Sequence, residues 1–162
     1  MAGGFEWVFG GRPVNTGKMA VTFSKLLDLV TKELFILVPY LDVKTTQYVL
    51  RRLEDRGTTL SQQISLRIAI SPDPLPYVTR LADLKALQAL LSSNRAVVKV
   101  ETRVAHPLHA KVYLADSHLA LVTSANLTGG GMESNAEAGF LVSEESTLSA
   151  MRQDCEDYVS VK

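Results

Sequence analysis

His106-Pro-Leu-His109-Ala-Lys111-Val-Tyr-Leu-Ala-Asp116-Ser-His118-Leu-Ala-Leu-Val-Thr123-Ser124-Ala-Asn126 is the stretch on which the reading of this chain turns. Ala110–Leu114 and Leu119–Thr123 read as two short strands, and the turn around Asp116-Ser117-His118 predicts that they pair as a hairpin. Side chains two apart in a strand leave the same face, so His109 and Lys111 travel together. Ser124 and Asn126 do the same at the end of the next strand. Pairing gathers all four onto one patch. Lys offers a point charge, and Ser and Asn offer neutral donors, a set suited to phosphate. His attacks as a nucleophile or moves protons near neutral pH. Glu137, at the head of the following strand Ala138–Val142, is placed to orient an imidazole through its ring N–H. An ordinary polar hairpin edge is the bland alternative. Five suitable groups within 29 residues, all at strand ends, argue against it.

Outward from this hairpin, the chain alternates. Leu26, Leu27 and Val30 have helical spacing within Ser24–Lys32. The run from Glu33 to Val38, stopped by Pro39, fits a strand buried on both faces. Asp42 is a natural N-cap for a helix through about Arg56, with Gly57 after its end. A strand over Ile64–Ile70, a helix over 79–92 and a strand over Ala96–Thr102 follow, and a last helix runs from Thr147 to Tyr158. The predicted class is α/β, with a mixed sheet sandwiched between helices. Residues 1–20 are Gly-rich and carry turn signals, so they read as an N-terminal arm or loop ahead of one domain spanning 21–162.

Composition bounds the possibilities. The chain has 162 residues, 46% hydrophobic and 21% charged, which suits one globular domain and excludes a mainly disordered or collagen-like chain. Lys plus Arg equals Asp plus Glu at 17 each, so bulk charge does not drive nucleic-acid binding. The balance conceals a split: residues 1–111 carry 15 basic and 9 acidic side chains, and residues 112–162 carry 2 and 8. The basic part faces an anionic partner, or the two surfaces simply pair or sit in water. Cys155, the one cysteine, has no internal disulfide partner, and it reads as an idle thiol in a reducing compartment. No apolar run is long enough to span a membrane, and the first eleven residues lack the pattern of a signal peptide. The expected location is the cytoplasm, without membrane insertion.

Several local matches fail on context. Gly11–Lys18 misses P-loop spacing by one residue and no strand precedes it. Asn126-Leu127-Thr128 is a formal glycosylation sequon that coincides with the patch, and is read as chance. His106, His109 and Asp116 lack the shared face that a metal would need. No metal and no cofactor are expected.

His109-x-Lys111 followed by four residues and Asp116 matches the HxKxxxxD signature of the phospholipase D superfamily. Thr123-Ser124-x-Asn126, six residues on, resembles its GSxN element, and Asn135-x-Glu137-x-Gly139 resembles its downstream acidic motif. Thr123 departs from the family pattern, which has Gly there, and adds bulk beside the phosphate site. The resemblance implies the phospholipase D-like fold and metal-free phosphodiester cleavage through a covalent phosphohistidine. It assigns His109 as nucleophile, Lys111 and Asn126 to the non-bridging oxygens, Ser124 to the same pocket, and Glu137 to aligning the imidazole. Asp116 is expected to position Lys111 or the hairpin. Arg103, His106, Thr123, Gly129 and Tyr40 are the expected substrate contacts. Arg51, Arg52 and Arg56 read as a solvated helix face, with phosphate tracking as the alternative.

Family chemistry uses two such histidines, and this chain has one motif. The resemblance therefore implies a homodimer that assembles one active site across a two-fold axis. The length favours a nuclease acting on DNA or RNA over a lipid phosphodiesterase or phosphatidyl transferase. A nucleic-acid-binding accessory module is the third class. The run Ala120–Thr128 bears a softer resemblance to phospholipase D-like proteins of bacterial restriction and phage-defence systems, which would add other subunits of such a complex as partners.

Overall fold

The apolar run after Thr31 becomes the middle of the sheet. Leu34, Phe35, Ile36 and Val38 are 0–1% exposed, so this strand is covered on both faces, as its unbroken hydrophobicity predicts. The structure is a computed structural model describing residues 12–79, 83–92, 96–105 and 107–160. In chain order the elements are β1 (Arg12–Asn15), α1 (Thr16–Leu29), β2 (Glu33–Leu37), α2 (Val43–Leu60), β3 (Ile64–Ile70), α3 (Leu75–Val78), α4 (Leu84–Leu91), β4 (Val98–Val104), β5 (Val112–Ala115), β6 (Leu119–Thr123), a π-helical turn (Gly130–Ser134), β7 (Ala138–Val142) and α5 (Glu145–Ser160).

One sheet holds all seven strands in the order β1-β7-β6-β5-β2-β3-β4. Strands β2, β3 and β4 are parallel, joined by crossovers that contain helices, while β2–β5, β5–β6, β6–β7 and β7–β1 are antiparallel. The registers set which chain ends meet. The C-terminal ends of β1, β2, β3, β4 and β6 share one end of the sheet with the N-terminal ends of β5 and β7. One face packs Leu34, Ile36, Tyr113 and Leu121 against Phe23, Leu26 and Leu27 of α1, Val49, Leu50 and Leu53 of α2, and Leu90 of α4. The other face packs Phe35, Leu37, Leu114, Ala120 and Val142 against Leu148 and Cys155 of α5. The α/β sandwich read from the alternating elements is the fold observed.

Three local readings change. Residues 12–20, expected as part of an arm, form edge strand β1 and the first turn of α1; residues 1–11 lie outside the described residues. Strand β1 gains its place by pairing with β7, and Val14, Met19 and Phe23 are buried beneath it, which a local turn signal cannot reveal. Helix α2 runs through Gly57 to Leu60 and ends at Ser61 with φ of 53°. Packing of a buried stripe along α2 outweighs the roughly 1 kcal/mol helix cost of one glycine. Of the helix expected over 79–92, the described residues form α4 (Leu84–Leu91), begun by the Asp83 side chain, which accepts from the Lys85 amide at 2.8 Å, while the short α3 (Leu75–Val78) precedes that range and residues 80–82 lie outside the described residues.

The β5–β6 turn carries a latch. Asp116, with φ of 52°, closes the hairpin and is 8% exposed. One carboxylate oxygen accepts from the Thr31 amide at 2.8 Å and the Thr31 hydroxyl at 2.7 Å; the other accepts from the amides of Lys32 and Glu33 at 2.9 and 2.6 Å. The Asp116 amide in turn donates to the Glu33 carbonyl at 2.9 Å. Burial alone would raise this carboxyl's pKa, but the hydrogen bonds from Glu33, Thr31 and Lys32 outweigh it and leave the pKa lowered. On the α5 face, Arg67 pairs with Glu156, Glu33 and Glu101, and Arg152 reaches Glu33 at 2.6 Å, so the acidic helix is tied to the sheet. Cys155 is buried, and burial first, then the charges of Asp154 and Glu156, push its thiol up to about 11. This is the idle thiol expected from its acidic surroundings.

Asp116→Asn replaces an acceptor of three amides by a group with one acceptor oxygen. Loss of these charge-assisted bonds should cost about 2–3 kcal/mol in urea unfolding at pH 7. A carboxyl whose folded pKa is lowered stabilises above its unfolded value and loses that contribution as pH falls through the folded value. The gap between wild type and Asp116→Asn should therefore narrow on acidification below about pH 4.

Candidate active site

The end of the sheet defined by the registers is where the sequence patch assembles. Lys111 precedes β5, and its carbonyl accepts from the Thr123 amide at 3.1 Å, which extends the hairpin by one rung. Lys111 is 7% exposed. Its Nζ donates to the His109 carbonyl at 2.8 Å and lies 3.3 and 3.5 Å from the His109 ring nitrogens Nδ1 and Nε2. His109 itself is exposed. Burial lowers the Lys111 pKa below the ordinary lysine value, and the charge of Glu137 pulls it partly back.

Ser124 leaves β6 beside Glu137. Its hydroxyl donates to Glu137 Oε2 and accepts from the Ala138 amide at 3.1 Å, and its own amide donates to the Ala138 carbonyl at 2.9 Å. Glu137 Oε1 also accepts from Asn135 Nδ2 at 3.4 Å. Asn126 is half-buried, and its Oδ1 is buried without a hydrogen-bond partner among the described residues. Such an amide is held by its backbone, and the cause is close by: a Cβ on Gly131 would stand 2.6 and 2.8 Å from the Asn126 carbonyl oxygen and amide nitrogen. Only glycine allows the π-helical turn to press on this backbone.

His109, Lys111, Ser124, Asn126 and Glu137 therefore stand at one end of the sheet as expected. Asp116 does not join them. It sits at the other end of β5, five residues and about 17 Å of extended chain from Lys111. Its carboxylate is fully engaged in the latch, so it acts on register, not on a substrate. His118 shares that distant turn, and His106 lies outside the described residues.

The expected substrate contacts fare unequally. Thr123 is buried, with its hydroxyl donating to the Ala138 carbonyl at 2.9 Å and accepting from the Ala125 amide at 3.1 Å. It faces the core, not a substrate, and its bulk is matched across the strands by Gly139, where a Cβ would meet Val122 O at 2.6 Å and Thr123 Cβ at 2.7 Å. Gly129 is not open to a ligand through its amide, which donates to Asp42 Oδ2 at 2.6 Å. Arg103 is exposed and pairs with Glu101, on edge strand β4, three strands away from β5 or about 14 Å. Tyr40 is brought to the site end: its carbonyl accepts from the Leu127 amide at 3.2 Å. Among the described residues no cluster of three or more His, Cys, Asp or Glu side chains is placed to hold a metal. Nor is any helix there long and apolar enough to cross a membrane.

Two supporting residues were not recognisable as such. Asp42 was legible as the N-cap of α2, which it is, accepting from the Thr45 amide at 2.7 Å. Its other oxygen fastens Gly129, 87 residues on, a contact that no local pattern encodes. Tyr113, two residues beyond Lys111, is fully buried and donates its phenol to the Ala125 carbonyl at 3.0 Å, fixing the backbone between Ser124 and Asn126. Its period-two spacing from Lys111 was the available signal, since a buried tyrosine needs a partner for its hydroxyl.

Comparison with known proteins gives one family. A family model described as "Cardiolipin synthase, PLD-like domain" matches residues 24–158. No curated protein matches the chain by sequence. Among solved structures, NucT from Helicobacter pylori superposes with a TM-score of 0.68 at 13% identity, over 93% of this chain and 95% of that one. Nuc from Salmonella typhimurium, described as a phospholipase D family member, gives 0.67 at 12% identity over 92% and 93%. The phosphatidylserine synthase of Haemophilus influenzae Rd KW20 gives 0.64 at 18% identity, covering 92% of this chain but 38% of its own length. At these identities the likeness is one of fold.

The Lys111 environment makes a direct forecast. An NMR titration of its ε-methylene should place the midpoint below the ordinary lysine value of about 10.4. Glu137→Gln removes the charge that raises this pKa, so the midpoint should fall further. For Gly131→Ala, the new methyl meets backbone that cannot rotate away, so Asn126 backbone amide shifts should move strongly. Gly129→Ala should leave them nearly unchanged, since its Cβ would meet only Asp42 Oδ2 at an ordinary 3.6 Å.

Proposed function

Because the chain belongs to the phospholipase D superfamily, we propose that it is a metal-independent phosphodiesterase that cleaves DNA or RNA, with one active site built across a homodimer. The observation that carries the reading is the convergence of His109, Lys111, Ser124, Asn126 and Glu137 at one sheet end, with the lysine buried beside the histidine. In this proposal His109 attacks phosphorus, and the P–N bond forms as the bond to the leaving oxygen breaks. The His109 of a second copy gives that oxygen its proton, then takes one from water as the water oxygen displaces the first imidazole. Protonated Lys111 and the Asn126 amide stabilise the charge on the non-bridging oxygens, the role in which fixed donors contribute most. Glu137 holds Ser124 in the pocket and sustains the charge on Lys111.

A second copy is favoured by the shape of the face that carries α5. At the catalytic end of that face Phe140 is 37% exposed and Val112 and Val122 are half-buried, while Leu148 and Cys155 of α5 pack on Phe35, Leu37, Leu114, Ala120 and Val142. Covering this strip by the same strip of another chain places two sites against each other across a two-fold axis. A buried thiol suits the cytoplasm, and the Ala120–Thr128 run suits a restriction or phage-defence setting with further subunits.

One feature favours a lipid substrate instead. Leu75, Val78 and Val104, 61–79% exposed, lie just beyond β3 and at the end of β4 on the catalytic side, where they could meet an acyl surface. Phosphatidylcholine hydrolysis separates this reading from the nuclease.

Labelled single- and double-stranded DNA and RNA in excess EDTA provide the test. Wild type should cleave, and His109→Ala should lose on the order of 10³-fold or more, as expected when a nucleophile is removed. Lys111→Ala and Asn126→Ala should each lose roughly 10²–10³-fold through kcat. Cleavage that needs added Mg²⁺ or survives His109→Ala overturns the mechanism. A monomeric mass with activity strictly proportional to concentration overturns the shared site. Failure to cut any nucleic acid while retaining strand binding would leave the accessory-module reading.

A further inference from the structure

An open groove of about 290 Å³ lies between α1, α2 and the π-helical turn, outside the phosphodiester site. Phe23 and Met132, 2% and 4% exposed, form its floor. Tyr48 forms a wall, and Lys44, Arg51 and Glu133 form the rim. Lys44, Tyr48 and Arg51 are i, i+4 and i+7 on α2, a single stripe in which the two cations are about 10.5 Å apart along the axis. The Tyr48 ring is fixed, with its hydroxyl donating to Ser24 Oγ at 3.0 Å and the Arg52 guanidinium 5.9 Å from its centroid. The solvated-face reading accounts for Arg52, which pairs with Asp28, but not for Arg51 turned to the groove.

Resting on the nuclease reading, we propose that this groove holds a single-stranded segment of the substrate flanking the cleaved phosphate. Cations that bracket an aromatic wall over an apolar floor are what an unpaired strand needs: phosphates meet Lys44 and Arg51, and a base stacks along Tyr48. A volume at the low end of ligand pockets suits one nucleotide unit. A base held in a duplex is stacked and paired, and does not descend between two helices. The groove is also tied to the catalytic end through the π-helical turn. Gly131 presses on Asn126, and the next two residues of the same turn, Met132 and Glu133, line the groove. Glu133 meets Lys44 at 3.5 Å in an exposed pair, which contributes little to stability and competes with phosphate for the ammonium.

The experiment measures fluorescence anisotropy of a labelled oligothymidine on the His109→Ala protein, which isolates binding from cleavage. Lys44→Ala/Arg51→Ala should weaken binding about 10-fold at low salt and reduce the slope of log K against log salt by about 1.4, two phosphates at 0.7 each. Glu133→Gln should tighten binding, a gain that no merely structural role predicts. All three positions are on the exposed rim, so unfolding midpoints should stay at the wild-type value. Unchanged affinity and slope in the double variant overturn the proposal, as does equal sensitivity of a duplex. Binding of phosphatidylglycerol vesicles that depends on the same two cations, with no such dependence for oligothymidine, also overturns it. With His109 intact, Lys44→Ala/Arg51→Ala should hydrolyse bis(p-nitrophenyl) phosphate as wild type does, because that substrate does not reach the groove. Loss of all phosphodiesterase activity in wild type would overturn the nuclease reading, while the anisotropy result would still decide the groove.

Discussion

The Asp116 carboxylate joins the two halves of the sheet. Its oxygens accept from three successive backbone amides and one hydroxyl at the start of β2, while the turn it closes connects β5 to β6. One side chain thereby sets the register between the parallel strands and the antiparallel ones. Fixing the far end of β5 fixes the near end too, since a strand is nearly inextensible at about 3.3 Å per residue. A slip of one residue would turn Lys111 to the opposite face. The motif aspartate thus serves the motif lysine from a distance, and its four intervening residues are the length of the strand between them.

The near end is organised by hydrogen bonds to the backbone together with one close packing contact. Lys111 is pinned to the His109 carbonyl, Tyr113 holds the Ala125 carbonyl, and Gly131 presses on Asn126. Asp42 ties the loop after β6 to the N-terminus of α2. The groups that would meet a phosphate are therefore carried by backbone that cannot shift without disturbing the core, as preorganised donors require. Burial has a second effect here. It lowers the pKa of Lys111, and the nearby Glu137 charge limits that fall.

Charge is distributed in keeping with this plan. The acidic surplus of the C-terminal third includes Glu156, on α5, where it is paired with Arg67 from β3, so part of the split seen in the sequence is neutralised inside the fold. The sequence left open whether the split marked an anionic partner or paired surfaces, and the paired-surface account holds for α5. Arg67 and Arg152 bind α5 to the sheet, whereas Lys44 and Arg51 rim an open groove.

What the sequence alone determined was local and periodic. The unbroken run before Pro39 required a strand covered on both faces, and the spacing of His109, Lys111, Ser124 and Asn126 required a shared patch once the hairpin closed. These follow from the period of an extended chain and from the burial of apolar side chains. The tertiary structure alone decided the partners that lie far along the chain. It separated Thr123 and Gly129 from the substrate contacts first read for them by engaging each with a distant backbone or carboxylate, and it supplied the distant amides through which Asp116 positions the hairpin. It left Arg103 on an edge strand and drew residues 12–15 into the sheet and 16–20 into α1. Those outcomes depend on which unsatisfied backbone group is nearest in space, and local sequence carries no record of that.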